Sequence, residues 1–307
     1  MSIDTENLTA APQSGDVAFP PEARATSEAL FREPAQQRTV IEPTSGWRLM
    51  NVRELWKYRE LLYFLTWRDV KVRYKQTVLG AAWAIIQPVM TMVVFSIFFG
   101  KFGGMDKHVE GAYQVFIYAA LLPWTFFANS VSQSGQSLIS SSNLVSKVYF
   151  PRLFIPLSAV GGGLVDFAIS LGVMFCLMVG YGVSFSARLL LLPLFTLGTI
   201  LAAVGVGALL SALVVAYRDF RYVIQFLVQL WMFASPVAYP LDVVPERWRL
   251  LYSLNPMVGM ISGFRSSILG EPWSPGCLTV SALSTLLLLA AGTMYFRRVE
   301  RRFADII

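Results

Sequence analysis

Few side chains in this sequence can do chemistry, and most of those that can stand where water is scarce. Gln225 and Gln229 lie four residues apart in an apolar stretch, which puts both amides on one helical face with Met232 and Pro236, and Phe233 beside them. Gln87 stands in a second apolar stretch, one turn after Trp83. An amide in such surroundings must find a partner or meet water, so these positions either tie helices together or line a wet passage. Asp166 is the only acid deep inside an apolar run. An acid at the centre of a membrane helix costs roughly 2.5–3.5 kcal/mol, so Asp166 is expected to bond a neighbouring helix, in preference to an ion-site role. Arg68, Arg73, Arg218 and Arg221 carry planar donor forks that suit phosphate, and they serve equally well as topology determinants and headgroup contacts.

Enzyme chemistry is poorly supplied. His108 is the single histidine, which excludes a histidine metal cluster within one chain and argues against a Ser-His-Asp triad. Cys176 and Cys277 have neither metal-site nor disulfide-framework spacing, and Cys176 reads as a small packing residue. A membrane glycosyltransferase or protease needs clustered acids, histidines or a nucleophile at membrane depth, and the runs offer Asp166 alone. Gly100-Lys101 is followed by Phe102, and no Gly-x-x-x-x-Gly-Lys loop exists to cradle ATP phosphates. Any ATP-derived energy must therefore arrive from another subunit.

The elements that position these residues belong to a membrane. Hydrophobic residues make up 55% of the chain and charged ones 14%, against about 25% charged in ordinary soluble domains. Mean hydropathy is +0.55. The net charge of +6 would suggest nucleic acid in a soluble protein, but here the basic residues flank apolar runs, so no nucleic-acid partner is expected. Residues 1–46, rich in Pro, Ala, Ser, Thr and acids, read as a disordered polar arm without the basic and apolar regions of a signal peptide. Residues 47–76 contain an amphipathic interfacial helix. Leu55, Tyr58, Leu61, Leu62, Leu65 and Val72 fall on one stripe, and Trp56, Tyr63, Phe64 and Trp67 form a second face suited to lipid headgroups.

Residues 77–307 read as an all-α membrane domain of about six spans, at 81–99, 113–131, 154–181, 189–217, 222–239 and 277–296. Gly161, Gly162, Gly163, Gly198, Gly205 and Gly207 allow close helix approach. Lysines and arginines concentrate before run one, between runs two and three, between four and five, and after six, which places both termini in the cytoplasm. The last outer loop, 240–276, is long and half apolar, and 243–254 and 256–269 are each predicted to form a short helix dipping into the outer leaflet.

The stretch from Leu65 through Arg68, Arg73 and Gly80 to Trp83 and Gln87-Pro88 closely resembles the opening segment of ATP-binding-cassette polysaccharide export permeases, which move O-antigen, capsule or teichoic-acid chains. The resemblance continues through Leu122-Pro123-Trp124-Thr125, Asn143-Leu144-Val145-Ser146-Lys147, Tyr217-Arg218-Asp219-Phe220-Arg221, Ser235-Pro236-Val237 and Asn255-Pro256-Met257. It implies a multi-pass protein of the bacterial inner membrane, assembled as two copies with two separate ATPase subunits that bind ATP and Mg. It also implies a polyprenyl-diphosphate-linked glycan as substrate. On that footing Trp83, Gln87, Gln225, Gln229, Met232 and Phe233 are candidates for the glycan passage, and Arg68, Arg73, Arg218 and Arg221 for receiving the lipid diphosphate. Ser142, Asn143, Leu144, Val145 and Lys147 match the family's cytoplasmic coupling helix, with Ser141, Ser142 or Asn143 as its cap and a span of 144–149. An exporter of the same architecture for hydrophobic small molecules or lipids is the alternative.

Overall fold

The computed structural model of the chain describes residues 56–75, 80–109, 111–147, 150–300 and 303, so the predicted arm at 1–46 lies outside the described residues. Every regular element among them is helical. Helix α1 (Arg59–Lys75) precedes α2 (Gly80–Phe95), which runs on as a π-helical segment, Ser96–Phe102. Then come α3 (Tyr113–Ser140), the short α4 (Ser142–Lys147), α5 (Phe154–Gly180) and α6 (Leu192–Ala216). Helices α7 (Phe220–Phe233), α8 (Glu246–Tyr252), α9 (Pro256–Leu269) and α10 (Pro275–Glu300) complete the order. Among the described residues five stretches are long and apolar enough to cross a membrane, and they correspond to predicted runs one, two, three, four and six. Both predicted outer-loop helices form, as α8 and α9.

Run five differs from its prediction. The helix stops at Phe233, and 14 residues span only about 21 Å of the ~30 Å hydrocarbon layer. Pro236 supplies the reason, because it has no N–H to continue the ladder and biases Ser235 away from the helical region. The remaining depth falls to a turning segment, residues 234–240.

Such a break leaves backbone groups that lipid cannot satisfy, and side chains from the following helices take them up. Arg265 of α9 is 2% exposed. Its Nη2 donates to the Val237 carbonyl at 2.8 Å, Nη1 to Tyr239 at 3.1 Å and Nε to Phe116 at 3.4 Å. The guanidinium also lies 3.5 Å from the centroid of the Phe116 ring. Asn255 works from the other side: its Nδ2 donates to Ala234 O and Ser235 Oγ, and its Oδ1 accepts from Trp231 Nε1 and from Met257 N, capping α9. Burial pushes the Glu271 carboxyl above the usual carboxylate range, and nearby Arg265 opposes that shift.

Helix α3 is the centre of the bundle, buried along most of its length between α5 and α6. Of the predicted glycine contacts, Gly161, Gly163, Gly198, Gly205 and Gly207 are close approaches, whereas Gly162 has only ordinary contact with Asp69. A Cβ on Gly292 of α10 would lie 2.0 Å from the Gly205 carbonyl of α6, so these backbones cross with no room for a side chain. Cys277 is buried, whereas Cys176 is exposed on α5 and not packed as expected. At the end of the bundle carrying α1 and α4, a separate apolar cluster gathers Leu65, Leu138, Val145, Phe150, Phe154 and Phe296. There the Arg152 backbone N–H donates to Glu300 Oε1 at 2.9 Å, and its guanidinium donates to the Glu300 carbonyl.

Replacing Arg265 by Met is expected to destabilise the protein by roughly 3 kcal/mol or more, because the Val237 and Tyr239 carbonyls lose their donor and the Phe116 carbonyl loses a second one. Arg265→Lys should recover only part of this, since an ammonium cannot reproduce the planar fork. The measurement is the thermal unfolding midpoint in detergent, and a Met variant as stable as wild type would contradict this role.

Candidate functional site

Helix α1 turns one face inward through Tyr58, Leu61, Leu62, Leu65, Thr66, Asp69, Val70, Arg73 and Tyr74, a helical spacing in which each is buried or half-buried. The predicted stripe holds from Tyr58 to Leu65, with Tyr58 edge-on to Phe154; Leu55 lies outside the described residues. Val72 departs from it and is 71% exposed. Beyond Leu65 the partner helix α5 presents Ser158 and Asp166, so α1 meets it with polar residues and leaves Val72 outside. Ser158 Oγ donates to Asp69 Oδ2 at 3.0 Å. A Cβ on Gly161 would stand 2.9 Å from Thr66 Oγ1, so only glycine lets α1 approach this closely. The predicted aromatic face of Trp56, Tyr63, Phe64 and Trp67 is exposed, and Lys71 lies over the Trp67 ring.

Arg73 and Tyr74 reach past α1 into the bundle. The Arg73 guanidinium pairs with Asp166 Oδ2 and donates to Gln133 Oε1 of α3, and the Tyr74 hydroxyl donates to Asp166 Oδ1. Both carboxylate oxygens of Asp166 are thus engaged by a neighbouring helix, and its charge is neutralised in place. Above this pair lies a cavity of about 490 Å³, lined by polar groups from four helices. Gln87 and Trp83 enter from α2, Thr125 and Asn129 from α3, Asp166 and Ser170 from α5, and Arg73 from α1, among the apolar walls of Phe126 and Phe167.

The cavity unites some of the predicted site residues and separates others. Trp83, Gln87 and Arg73 line it; Gln225, Gln229, Met232 and Phe233 do not. On α7 both amides are exposed, as is Phe233, while Met232 is half-buried and Ile224 is the residue buried against the bundle. Arg68 pairs with the adjacent Asp69 at 2.8 Å and lines a groove of about 410 Å³ on the outer face of α1 with Phe64, Trp67, Lys71, Val72 and Lys75. Arg218 and Arg221 are exposed where α6 gives way to α7, and they line neither space. Helix α4 begins at Ser142, earlier than the predicted 144, and Tyr149 lies outside the described residues. Val145 is buried and Leu144 packs beside it, whereas Asn143 and Lys147 are exposed and Ser142 is half-buried.

Sequence reasoning passed over Asn129. It is the one exposed residue of α3 between Tyr113 and Leu138, and with Thr125 and Gln133 it repeats at intervals of four, which lays a polar seam along a membrane helix. That spacing was a readable signal. Arg265, Asn255 and Trp231 were missed for a different reason, since only the fold brings them together.

Residues 60–269 match the family described as ABC-2 type transporter. The chain is 31% identical over 260 residues to the O-antigen export system permease protein RfbA of Myxococcus xanthus, covering 83% of this chain and 98% of the relative. It is 27% identical over 249 residues to the protein of that name from Klebsiella pneumoniae, with 81% and 95% covered. The polysialic acid transport protein KpsM of Escherichia coli is more distant, at 23% over 240 residues, with 76% and 91% covered.

The Arg73–Asp166 pair lends itself to a double-mutant cycle. Asp166→Asn and Arg73→Met are each expected to cost about 1–2 kcal/mol, a range kept low because both side chains are about a quarter exposed. The double variant should cost clearly less than the sum, as coupled neighbours do. Strict additivity in unfolding free energy would show that the pair does not act as a unit.

Proposed function

The chain belongs to the ABC-2 type transporter family, and from that premise we propose that it is the membrane permease of an ATP-driven exporter of lipid-linked polysaccharide. The observation that carries this reading is the near-complete coverage of O-antigen export permeases by the chain, joined to membrane-depth amides and an indole around a cavity. Sugars need hydrogen-bonding groups for hydroxyls and flat apolar faces for their C–H surfaces, and an aliphatic helix interface supplies neither. ATP and Mg are bound by a separate ATPase subunit, two copies of which join two copies of this chain in the inner membrane. Both termini lie in the cytoplasm, as the basic segments require.

Helix α7 supports the second copy. Tyr222, Phe226, Leu230 and Phe233 are exposed on it, with Gln225 and Gln229 beside them, so one chain leaves both apolar and amide surface uncovered. A symmetric pair buries the apolar part and turns the amides to a water-filled glycan passage. Arg218 and Arg221, exposed at the cytoplasmic head of this helix, are placed to meet the lipid diphosphate. Helix α4 receives the ATPase subunit. Its buried Val145 anchors it to the bundle, so Asn143 and Lys147 make the contact and Val145 holds them in position.

A strain lacking the gene is expected to lose its long-chain surface polysaccharide and to regain it with the wild-type chain. An Asn143→Asp, Lys147→Glu double variant should insert normally yet restore roughly a tenth of the polysaccharide or less, as loss of a central contact would cause. Surface polysaccharide unchanged by the deletion would overturn the export reading, and full restoration by the double variant would remove α4 as the contact.

A further inference from the structure

We propose that the cavity between α1, α2, α3 and α5 is a binding subsite for one uncharged sugar ring of the glycan, held by the amides of Gln87 and Asn129 and by Asp166, with the Trp83 indole as its flat wall. The proposal rests on the export reading above and adds a place within a single protomer where the sugar is recognised.

Four observations carry it. Gln87 and Asn129 project into the cavity from different helices, and neither side chain has a hydrogen-bond partner among the described residues. Two unpaired amides at membrane depth call for hydroxyls or water. Trp83 is 56% exposed beside them, so an aromatic face stands free next to the hydrogen-bonding groups. Ser130, fully buried on α3, has a hydroxyl with no hydrogen-bond partner among the described residues, and it stands against Gly163, whose bare backbone forms part of the cavity wall. The volume of about 490 Å³ falls within the range of small-ligand pockets, about 300–1,000 Å³.

Charge decides which part of the substrate fits. Among the described residues Arg73 is the only cation on the wall, and Asp166 pairs with it. A diphosphate placed here would face the Asp166 carboxylate and would have to break that pair to gain the guanidinium. A neutral polyol has no such cost, and its hydroxyls can donate to the carboxylate and amide oxygens and accept from the amide N–H groups. The pair therefore reads as a device that keeps the site polar but uncharged. Arg73 then serves as a positioning residue for Asp166, in place of the diphosphate role its sequence suggested.

The test uses the assembled permease and ATPase complex in lipid nanodiscs, with Cys176 and Cys277 replaced. Single reporter cysteines are placed at Thr125→Cys, which keeps both amides, and separately at Asn129→Cys. The rate of modification by a small water-soluble thiol reagent is followed with two probes: a polyprenyl diphosphate bearing one N-acetylhexosamine, and the bare polyprenyl diphosphate. The sugar-bearing lipid is expected to slow modification of Thr125→Cys about tenfold and the bare lipid to leave it nearly unchanged; adding Gln87→Leu and Asn129→Leu should abolish the protection. Equal protection by both lipids would overturn the proposal in favour of a diphosphate site. No protection by either, or no reaction at either cysteine without lipid, would overturn it in favour of a solvent-filled or closed packing void. If deleting the gene removes surface polysaccharide and the cavity shows no protection, the subsite alone fails; if polysaccharide persists after deletion, the export reading fails with it.

Discussion

A membrane helix that stops short must have its open backbone groups answered by protein, and the architecture of this chain follows from how that is done after α7. Pro236 ends the helix, and the turn at 234–240 exposes carbonyls that Arg265 and Asn255 take up from α9. Because Asn255 caps α9 with the same side chain that holds the turn, the start of one helix is fixed to the end of another. Tyr113 adds a third tie, its hydroxyl donating to the Ala238 carbonyl at 2.6 Å and joining the head of α3 to the turn. Helix α7 is otherwise lightly held, with Ile224 its one buried side chain. Its pitch, and so the direction in which Gln225 and Gln229 point, is set largely by what grips its C-terminal end.

The opposite end is organised by a second polar device of different character. Helix α1 has its aromatic face exposed, and its other face is fastened to α5 by Asp69–Ser158, by Tyr74–Asp166 and by the Arg73–Asp166 pair. The pair lines the cavity between α1, α2, α3 and α5, so the attachment of α1 and the electrostatics of that polar site depend on the same two residues. An ion pair in this position need not add much stability to be useful. It lets α1 reach across to Gln133 of α3 and leaves the cavity with hydrogen-bonding capacity but no net charge.

Much of this was legible in the amino-acid order, because membrane insertion writes itself in run length and in the placement of lysine and arginine. Five apolar helices long enough to span, the short helices α8 and α9 and the helix at α4 follow from those rules and from local capping and proline chemistry. Asn129 and the early stop of α7 before Pro236 had local signals that were passed over; the other misses share one cause, which is that a residue's partner lies far away in sequence. Arg265 carries no local signal in the sequence, since nothing near it announces the three carbonyls it serves. Val72 belonged to the apolar stripe until α5 offered α1 polar partners. Val145 looked like a docking residue because a short, capped, apolar turn does not reveal which side meets its own bundle. Asp166 was read correctly as bonded to a neighbouring helix, but Arg73 and Tyr74 could not be picked out as its partners. Gln225 and Gln229 share a helical face as expected, yet the cavity that Trp83 and Gln87 line is completed by Asn129 on α3 and not by α7.

The most direct measurement of what this permease does is reconstitution. Purified permease and its ATPase partner are placed in liposomes loaded on the ATPase-exposed leaflet with lipid-linked polysaccharide, and the glycan reaching the opposite leaflet is scored by a membrane-impermeant lectin. Lectin-accessible polysaccharide is expected to rise with time only when ATP, Mg and both subunits are present, and to stay at background with a non-hydrolysable ATP analogue. Steady ATP hydrolysis that moves unglycosylated lipid or an apolar dye across the bilayer, with the polysaccharide left behind, would contradict the assignment.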